Sequence, residues 1–341
     1  MLLVVTGPTD ATAEIVIGKL RARGADVHRF NPGDFPSRAS VSLGFDSRGR
    51  TTATLRTPQA RIDLRAVDAI WFRRPDPPRA DARVDDGRVR RYIADECALH
   101  LNDVWNTLAC DCLPARPWLV AHAELKASQL ALASALGFEI PSTLITTEPA
   151  DFLGFHRAHD GSVVSKPAGP AFNRHFAPEI GRYTELVSPR DVAYADSVRH
   201  APTIFQAYVC KRIELRVTVV GERVFAAEIH SQTARRTRHD WRRYDLAHTP
   251  HRPHALPPEI ARRCVLLVQR LGLAYGAIDL ILTPAGRYVF LEINPNGQFL
   301  WIEQLTSLAI SDAIADWLAA RESTTRVEAG TRVLAATETL A

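Results

Sequence analysis

Lysine is scarce in this chain: of 42 Lys and Arg among 341 residues, only Lys19, Lys126, Lys166 and Lys211 are lysines. In so arginine-rich a background, a retained lysine suggests a need for a compact ammonium group instead of a planar fork. The five cysteines, Cys97, Cys110, Cys112, Cys210 and Cys264, contain no CxxC pair and are odd in number, which argues against a disulfide framework and for reduced thiols. No apolar run approaches the length of a membrane span, and MLLVVTGPTD lacks the basic region of a signal peptide. A cytoplasmic protein without membrane contact is expected. Gly7 opens no GxGxxG pattern, so a dinucleotide fingerprint is missing. A net charge of +4 lends little support to a nucleic-acid partner, and the most basic stretch, Ser231 to His254, lacks repeated aromatic platforms.

With 46% hydrophobic and 23% charged residues, the chain is long enough for two or three globular units. Leu2–Val5, Ala11–Arg23 and Val27–Phe30 read as a β-α-β opening of a doubly wound unit. Ala39 to Leu55 alternates about a turn at Asp46 to Gly49, and the strand Ala69–Phe72 runs into the proline-marked loop Arg73 to Pro78. Val89, Tyr92, Ile93, Cys97, Leu101 and Val104 form one face of a long helix from Gly87 to Trp105. A boundary is expected near Pro114 to Pro117. A helix over Ala121–Leu136 and a strand over Glu139–Ile145 follow, and Val163–Pro167 reads as a strand delivering Lys166. The Gly-, Pro- and Asn-containing stretch Ala168 to His175 could then close over phosphates. Thr203–Val209, Leu215–Val220 and Val224–His230 are strands, and Ser231–His254 reads as a loop-rich basic surface. A helix over Pro258–Leu271 precedes a hairpin, and Ser307–Arg321 forms the last helix before a loosely held tail from Glu322.

The hairpin carries the strongest chemistry. Ala277–Leu282 and Tyr288–Ile293 are apolar β-type runs joined by Thr283-Pro284-Ala285-Gly286-Arg287. Side chains alternate along a strand, so Glu292 and Asn294 share a face, and a turn centred on Ala285-Gly286 sets Asp279 opposite Glu292. Two carboxylates and a carboxamide among apolar residues are costly to bury without a cation. An all-oxygen set suits Mg²⁺ held together with phosphates. Taken alone, Asn294-Pro295-Asn296-Gly297 also reads as an ordinary polar turn.

Lys126, Ser165-Lys166-Pro167, Gln206 to Val209, Glu214-Leu215-Arg216-Val217-Thr218-Val219-Val220-Gly221, Asp279 and Glu292-Ile293-Asn294 stand in a telling order. From Leu2 to about Leu318 the sequence resembles the ATP-grasp ligases. Within them it resembles the graspetide synthetases, the microviridin-type ATP-grasp maturases of ribosomal peptides. Trp71-Phe72-Arg73-Arg74-Pro75 and Asp240-Trp241-Arg242 are the segments more typical of those maturases. The resemblance implies an α/β (α+β ATP-grasp) fold. Residues 1–116 would form a doubly wound pre-ATP-grasp domain. Residues 117–202 and 203–325 would be the central and C-terminal subdomains that clamp ATP, with 326–341 a tail.

It also implies roles. Lys126 and Lys166 would place point charges on the nucleotide phosphates, and Gln206, Tyr208 and Val209 would form the hinge against adenine. Glu214 would accept from ribose hydroxyls, and Arg216 would stabilise charge on an acyl phosphate. Asp279, Glu292 and Asn294 would hold Mg²⁺. The implied reaction activates Asp or Glu side chains of a precursor peptide and joins them to Ser or Thr hydroxyls, or Lys amines, as macrocyclic esters or amides. A peptide with a leader and an acidic core would meet Arg235, Arg236, Asp240 and Arg242 in the basic stretch. Family members often form homodimers. Two alternatives share the core motifs: a ligase adding an amino acid to a protein or small-molecule carboxylate, and a non-catalytic nucleotide-binding scaffold.

Overall fold

The computed structural model describes residues 1–167, 183–233, 241 and 248–322. Asp10 accepts from the N–H groups of Thr12 and Ala13 and so starts α1 (Ala11–Ala22); Gly24, at φ +76°, ends it. With β1 (Leu2–Val5) and β2 (Val27–Phe30) this is the expected β-α-β unit, parallel in register Leu2 to Val27. β3 (Ser40–Phe45), β4 (Thr51–Arg56) and β5 (Arg61–Asp63) form a separate antiparallel sheet. β6 (Ala69–Phe72) and β7 (Asp111–Leu113) complete the parallel sheet in the order β2-β1-β6-β7.

Between them runs α2 (Gly87–Thr107). Its second half packs through Cys97, Leu101, Val104 and Trp105, but Val89 and Tyr92 are 45% and 65% exposed, which corrects the single continuous face read from the sequence. The reason is length. A helix of 21 residues is about 31 Å long, while a four-residue strand covers only about 13 Å, so the first turns overhang the sheet.

The helix expected over Ala121–Leu136 is two: α3 (Pro117–Ala123) and α4 (Lys126–Ala135), broken at Glu124 and Leu125. Both pack on the large C-terminal sheet, sharing a core with Leu215, Val217, Ile278 and Phe290. β8 (Thr143–Thr146), α5 (Pro149–Ala158), β9 (Val163–Pro167), β10 (Glu185–Leu186), α6 (Pro189–Ala193) and β11 (Thr203–Ala207) form the central unit. Its sheet runs β10-β9-β11-β8, so β11 belongs here although it follows the boundary at residue 202. The strand expected from Glu139 begins only at Thr143. Pro141 interrupts it, and Glu139 instead bridges to Val289 of the other sheet.

That other sheet has five strands in the order β14-β13-β12-β15-β16. They are β12 (Ile213–Val220), β13 (Arg223–Ile229), β14 (His251–His254), β15 (Tyr275–Leu282) and β16 (Tyr288–Asn294). β14 pairs with β13, so the end of the basic stretch is strand and not loop. α7 (Pro258–Arg270) covers one face, and α8 (Leu300–Thr306) and a helix over 310–322 follow the hairpin. The last helix packs with α1 in one core that joins the N-terminal sheet to β12, β13 and β15 through Val220, Ala227 and Tyr275. Among the described residues no helix is long and apolar enough to cross a membrane, and all five cysteines are free.

Candidate active site

A cleft open to solvent separates the four-stranded central sheet from the five-stranded sheet, with residues of both on its walls. β9 contributes Val164 and Lys166, β11 contributes Gln206 and Ala207, and the connection to β12 contributes Tyr208, Val209 and Lys211. The facing wall is Glu214 of β12, Asp279 and Ile281 of β15, and Leu291 and Glu292 of β16. Seven of the residues singled out from sequence thus line one cavity: Lys166, Gln206, Tyr208, Val209, Glu214, Asp279 and Glu292. Arg216, Lys126 and Asn294 are not in its lining but each bonds to a residue that is.

Strand pairing explains the convergence. Asp279 is paired with both Glu292 and Arg216 across β15, so three charged side chains cross the sheet in one row. Arg216 Nη1 donates to Asp279 Oδ1 at 2.9 Å and Oδ2 at 3.1 Å, and Nη2 reaches the Gln298 carbonyl at 3.4 Å. Burial works against the Arg216 charge, yet the Asp279 carboxylate more than offsets it and holds the guanidinium above its usual pKa. Trp241 lies over the same guanidinium at 5.8 Å and stacks on Trp301 with ring centroids 4.9 Å apart. Lys126 Nζ, at the first residue of α4, is 2.9 Å from Glu292 Oε2, and Asn294 Nδ2 is 3.5 Å from Glu292 Oε1. Lys211 Nζ donates to Glu214 Oε1 at 2.8 Å.

The loop after β16 is held from three sides. Tyr275 Oη donates to the Gly297 carbonyl at 2.7 Å, and burial pushes this phenol up to about 12. Arg73, 2% exposed, donates to the Asn296 carbonyl at 3.3 Å, and Asn296 returns a bond to the Phe72 carbonyl at 3.2 Å. A Cβ on Gly297 would fall 2.5 Å from Arg216 Nη2 and 2.4 Å from Ala277 Cβ. Only glycine lets the loop lie this close to the guanidinium.

Asp279, Glu292 and Asn294 fit the cation that the resemblance implies, because each offers side-chain oxygen, Asp279 and Glu292 line the cleft and Asn294 lies beside Glu292. Among the described residues no group of three or more His, Cys, Asp or Glu forms a self-sufficient metal cage. Such a two-carboxylate set suits Mg²⁺ whose shell is completed by substrate phosphates and water. The backbone of the segment expected to be the hinge is partly committed within the protein: Ala207 N–H donates to the Ser142 carbonyl and Tyr208 N–H to that of Ser162. Gln206 Nε2 donates to Thr143 Oγ1 at 2.9 Å.

Arg235, Arg236, Asp240 and Arg242, together with Ala168 to His175 and residues 323–341, lie outside the described residues; Glu322, expected to open the tail, instead ends the last helix and is buried against the Met1 amino group and the Asp26 N–H. Lys211, Trp241, Gly297 and Gln129 belong to the site or its support and were not singled out for it. Lysine scarcity was a usable signal for Lys211, three residues before Glu214; the other three depend on contacts across the fold.

Known proteins share this fold. The family model described as the MvdD pre-ATP grasp domain matches residues 1–115. The macrocyclase MdnC of Microcystis aeruginosa MRC, solved with its precursor peptide MdnA, is 30% identical, with 94% of this chain and 99% of that one covered at a TM-score of 0.82. A RiPP-associated ATP-grasp ligase of Chryseobacterium gregarium, solved with ADP and a leader and core peptide, is 28% identical over 94% of this chain and 96% of its own, TM-score 0.85. The ATP-grasp ligase PsnB, solved with a minimal precursor variant, Mg and ADP, shares the fold at 23% identity, TM-score 0.76, over 94% and 98% of the two chains. No curated protein sequence matches the chain.

Proposed function

The chain belongs to the ATP-grasp macrocyclases of ribosomally made peptides, and on that premise we propose that it activates Asp or Glu side chains of a precursor peptide with ATP and closes them onto Ser or Thr hydroxyls, or Lys amines, of the same peptide. The observation that carries this reading is the row Arg216, Asp279 and Glu292 across the sheet, facing Lys166 across the cleft. It supplies fixed positive charge for phosphates beside oxygen ligands for a divalent cation.

In this reading Lys126 and Lys166 hold the nucleotide phosphates, Gln206, Tyr208 and Val209 line the adenine, and Glu214 accepts from the ribose. Asp279, Glu292 and Asn294 hold Mg²⁺, which when bound neutralises phosphate charge. A substrate carboxylate oxygen bonds to the γ-phosphorus as the bond from that phosphorus to the bridging oxygen breaks and ADP leaves. The hydroxyl or amine then bonds to the acyl carbon, the carbon–oxygen bond to phosphate breaks, and the nucleophile's proton passes to solvent. Arg216 stabilises the negative charge of the acyl phosphate between the two steps. Each link removes one water from the peptide.

The precursor's acidic core is taken to meet Arg235, Arg236, Asp240 and Arg242, its leader binds elsewhere on the protein, and the working unit is a cytoplasmic homodimer. The test is incubation of the full chain with a Thr- and Glu- or Asp-rich precursor, ATP and Mg²⁺. Loss of one water per link, with matching ADP release, is expected. A gain in peptide mass, or nucleotide binding without turnover, overturns the reading. Charge reversal at Arg235 and Arg236 is expected to weaken peptide affinity and flatten its salt dependence.

A further inference from the structure

The two residues proposed to ligate metal from β16 sit on the outermost strand of the five-stranded sheet, next to a fault in its pairing. Asp279 is paired with Glu292, but Leu280 is paired with Phe290, so Leu291 is an extra residue on β16. A bulge at an edge is a weak place to hold a ligand. A slip of one residue would turn Glu292 and Asn294 to the opposite face of the sheet.

Gln129 occupies this edge. It is 1% exposed and lies three residues after Lys126, on the same side of α4. Its Nε2 donates to the Ile293 carbonyl at 2.9 Å, and its Oε1 accepts from the Ile293 N–H at 3.2 Å. One carboxamide thus bonds both backbone groups of the residue between Glu292 and Asn294, as a neighbouring strand would. The same Nε2 donates to the Ala123 carbonyl at 2.6 Å, tying the end of α3 to the grip. On the other side of the extra residue, Phe290 N–H donates to the Glu139 carbonyl at 2.8 Å.

We infer that Gln129 is a positioning residue for the metal site: it stands in for the missing strand, pins the bulged edge in register, and so aims Glu292 and Asn294 into the cleft. This rests on the reading of Asp279, Glu292 and Asn294 as metal-holding. Only one amide orientation serves, since the nitrogen meets two carbonyls and the oxygen one N–H. A leucine of similar size keeps the volume and loses every bond.

The test uses the full chain with ADP and Mn²⁺ as the probe, free Mn²⁺ being followed by electron paramagnetic resonance. Wild type, Gln129→Leu and Glu292→Gln are titrated at a temperature where all are folded. Gln129→Leu is expected to weaken Mn²⁺ binding about tenfold or more, in the range of other residues that orient metal ligands, with ADP affinity in the absence of metal unchanged. If Glu292→Gln loses Mn²⁺ while Gln129→Leu binds it as wild type does and only melts earlier, Gln129 is merely structural and the inference falls. If Glu292→Gln itself binds Mn²⁺ normally, the metal reading falls and takes the inference with it. Should Gln129→Leu not fold, Gln129→Asn, which draws the amide back by one methylene, is read in the same titration.

Discussion

Gly297→Ala is the sharpest perturbation the site offers, because one methyl group meets both the hairpin and Arg216, the arginine proposed to stabilise the acyl phosphate. The added carbon would lie 2.4 Å from Ala277 Cβ and 2.5 Å from Arg216 Nη2. Non-bonded carbons rest about 3.5–4.0 Å apart, so something must move by roughly 1 Å. Either the loop lifts, stretching the bonds from Tyr275 to the Gly297 carbonyl and from Arg216 to the Gln298 carbonyl, or Arg216 is driven from Asp279. Overpacking of this kind costs about 1–3 kcal/mol of stability. A misplacement of about 1 Å in the reacting geometry costs on the order of a hundredfold in rate. Thermal melting and kcat/KM for precursor conversion, followed by mass spectrometry, measure the two effects separately. Adding Ala277→Gly relieves the first contact and not the second, so the double variant is expected to regain melting temperature more fully than rate. A Gly297→Ala protein with wild-type kcat/KM would refute the claim that this loop seats Arg216.

Arg216→Ala should reduce kcat/KM by about a hundredfold or more, some 3 kcal/mol of lost charge stabilisation, and near-normal turnover in a single-turnover assay would remove Arg216 from the mechanism. Lys166→Arg should weaken ATP binding about as much as Lys166→Ala does, read by calorimetry, because a planar fork does not replace a compact ammonium. At the far side of the sheet, burial disfavours the Glu228 charge, but bonds from His254 and His230 prevail and hold its carboxyl below the usual range. A depressed carboxyl stabilises the fold above the unfolded pKa of about 4.3 and loses that contribution as pH falls through its lower folded value. Glu228→Gln is therefore expected to flatten the fall of melting temperature below that pH, and an unchanged acid limb would count against the ion pair.

The hairpin was readable because strand periodicity and turn chemistry are local, but its register was not: from Leu282 to Leu280 the pairing is one residue off a turn centred on Ala285-Gly286, and Asp279 meets Glu292 only because of the extra residue Leu291. The extra residue at Leu291 left no such mark, since the run Tyr288 to Asn294 is compatible with regular pairing. The break between α3 and α4 was equally silent, because Glu124 and Leu125 are neither glycine nor proline. The buried reach of Gln129 to the Ala123 carbonyl accompanies it, and a contact with residue 293 has no signature near residue 124. Exposure of Val89 and Tyr92 depends on how far the neighbouring sheet extends, which helix periodicity does not encode. Trp241 was visible as part of a motif, but its seat over Arg216 depends on Trp301, sixty residues on.

Each acid in the cleft already has a basic companion: Lys211 for Glu214, Arg216 for Asp279 and Lys126 for Glu292. A stray divalent ion arriving alone gains little from such an electrically settled surface, since it must displace a paired cation from each acid it binds. A nucleotide that carries its metal with it brings the anionic landing place as well. On the proposed function, the resting protein is thereby biased toward taking fuel and metal as one package, and against idling with an ion lodged where the phosphates would sit.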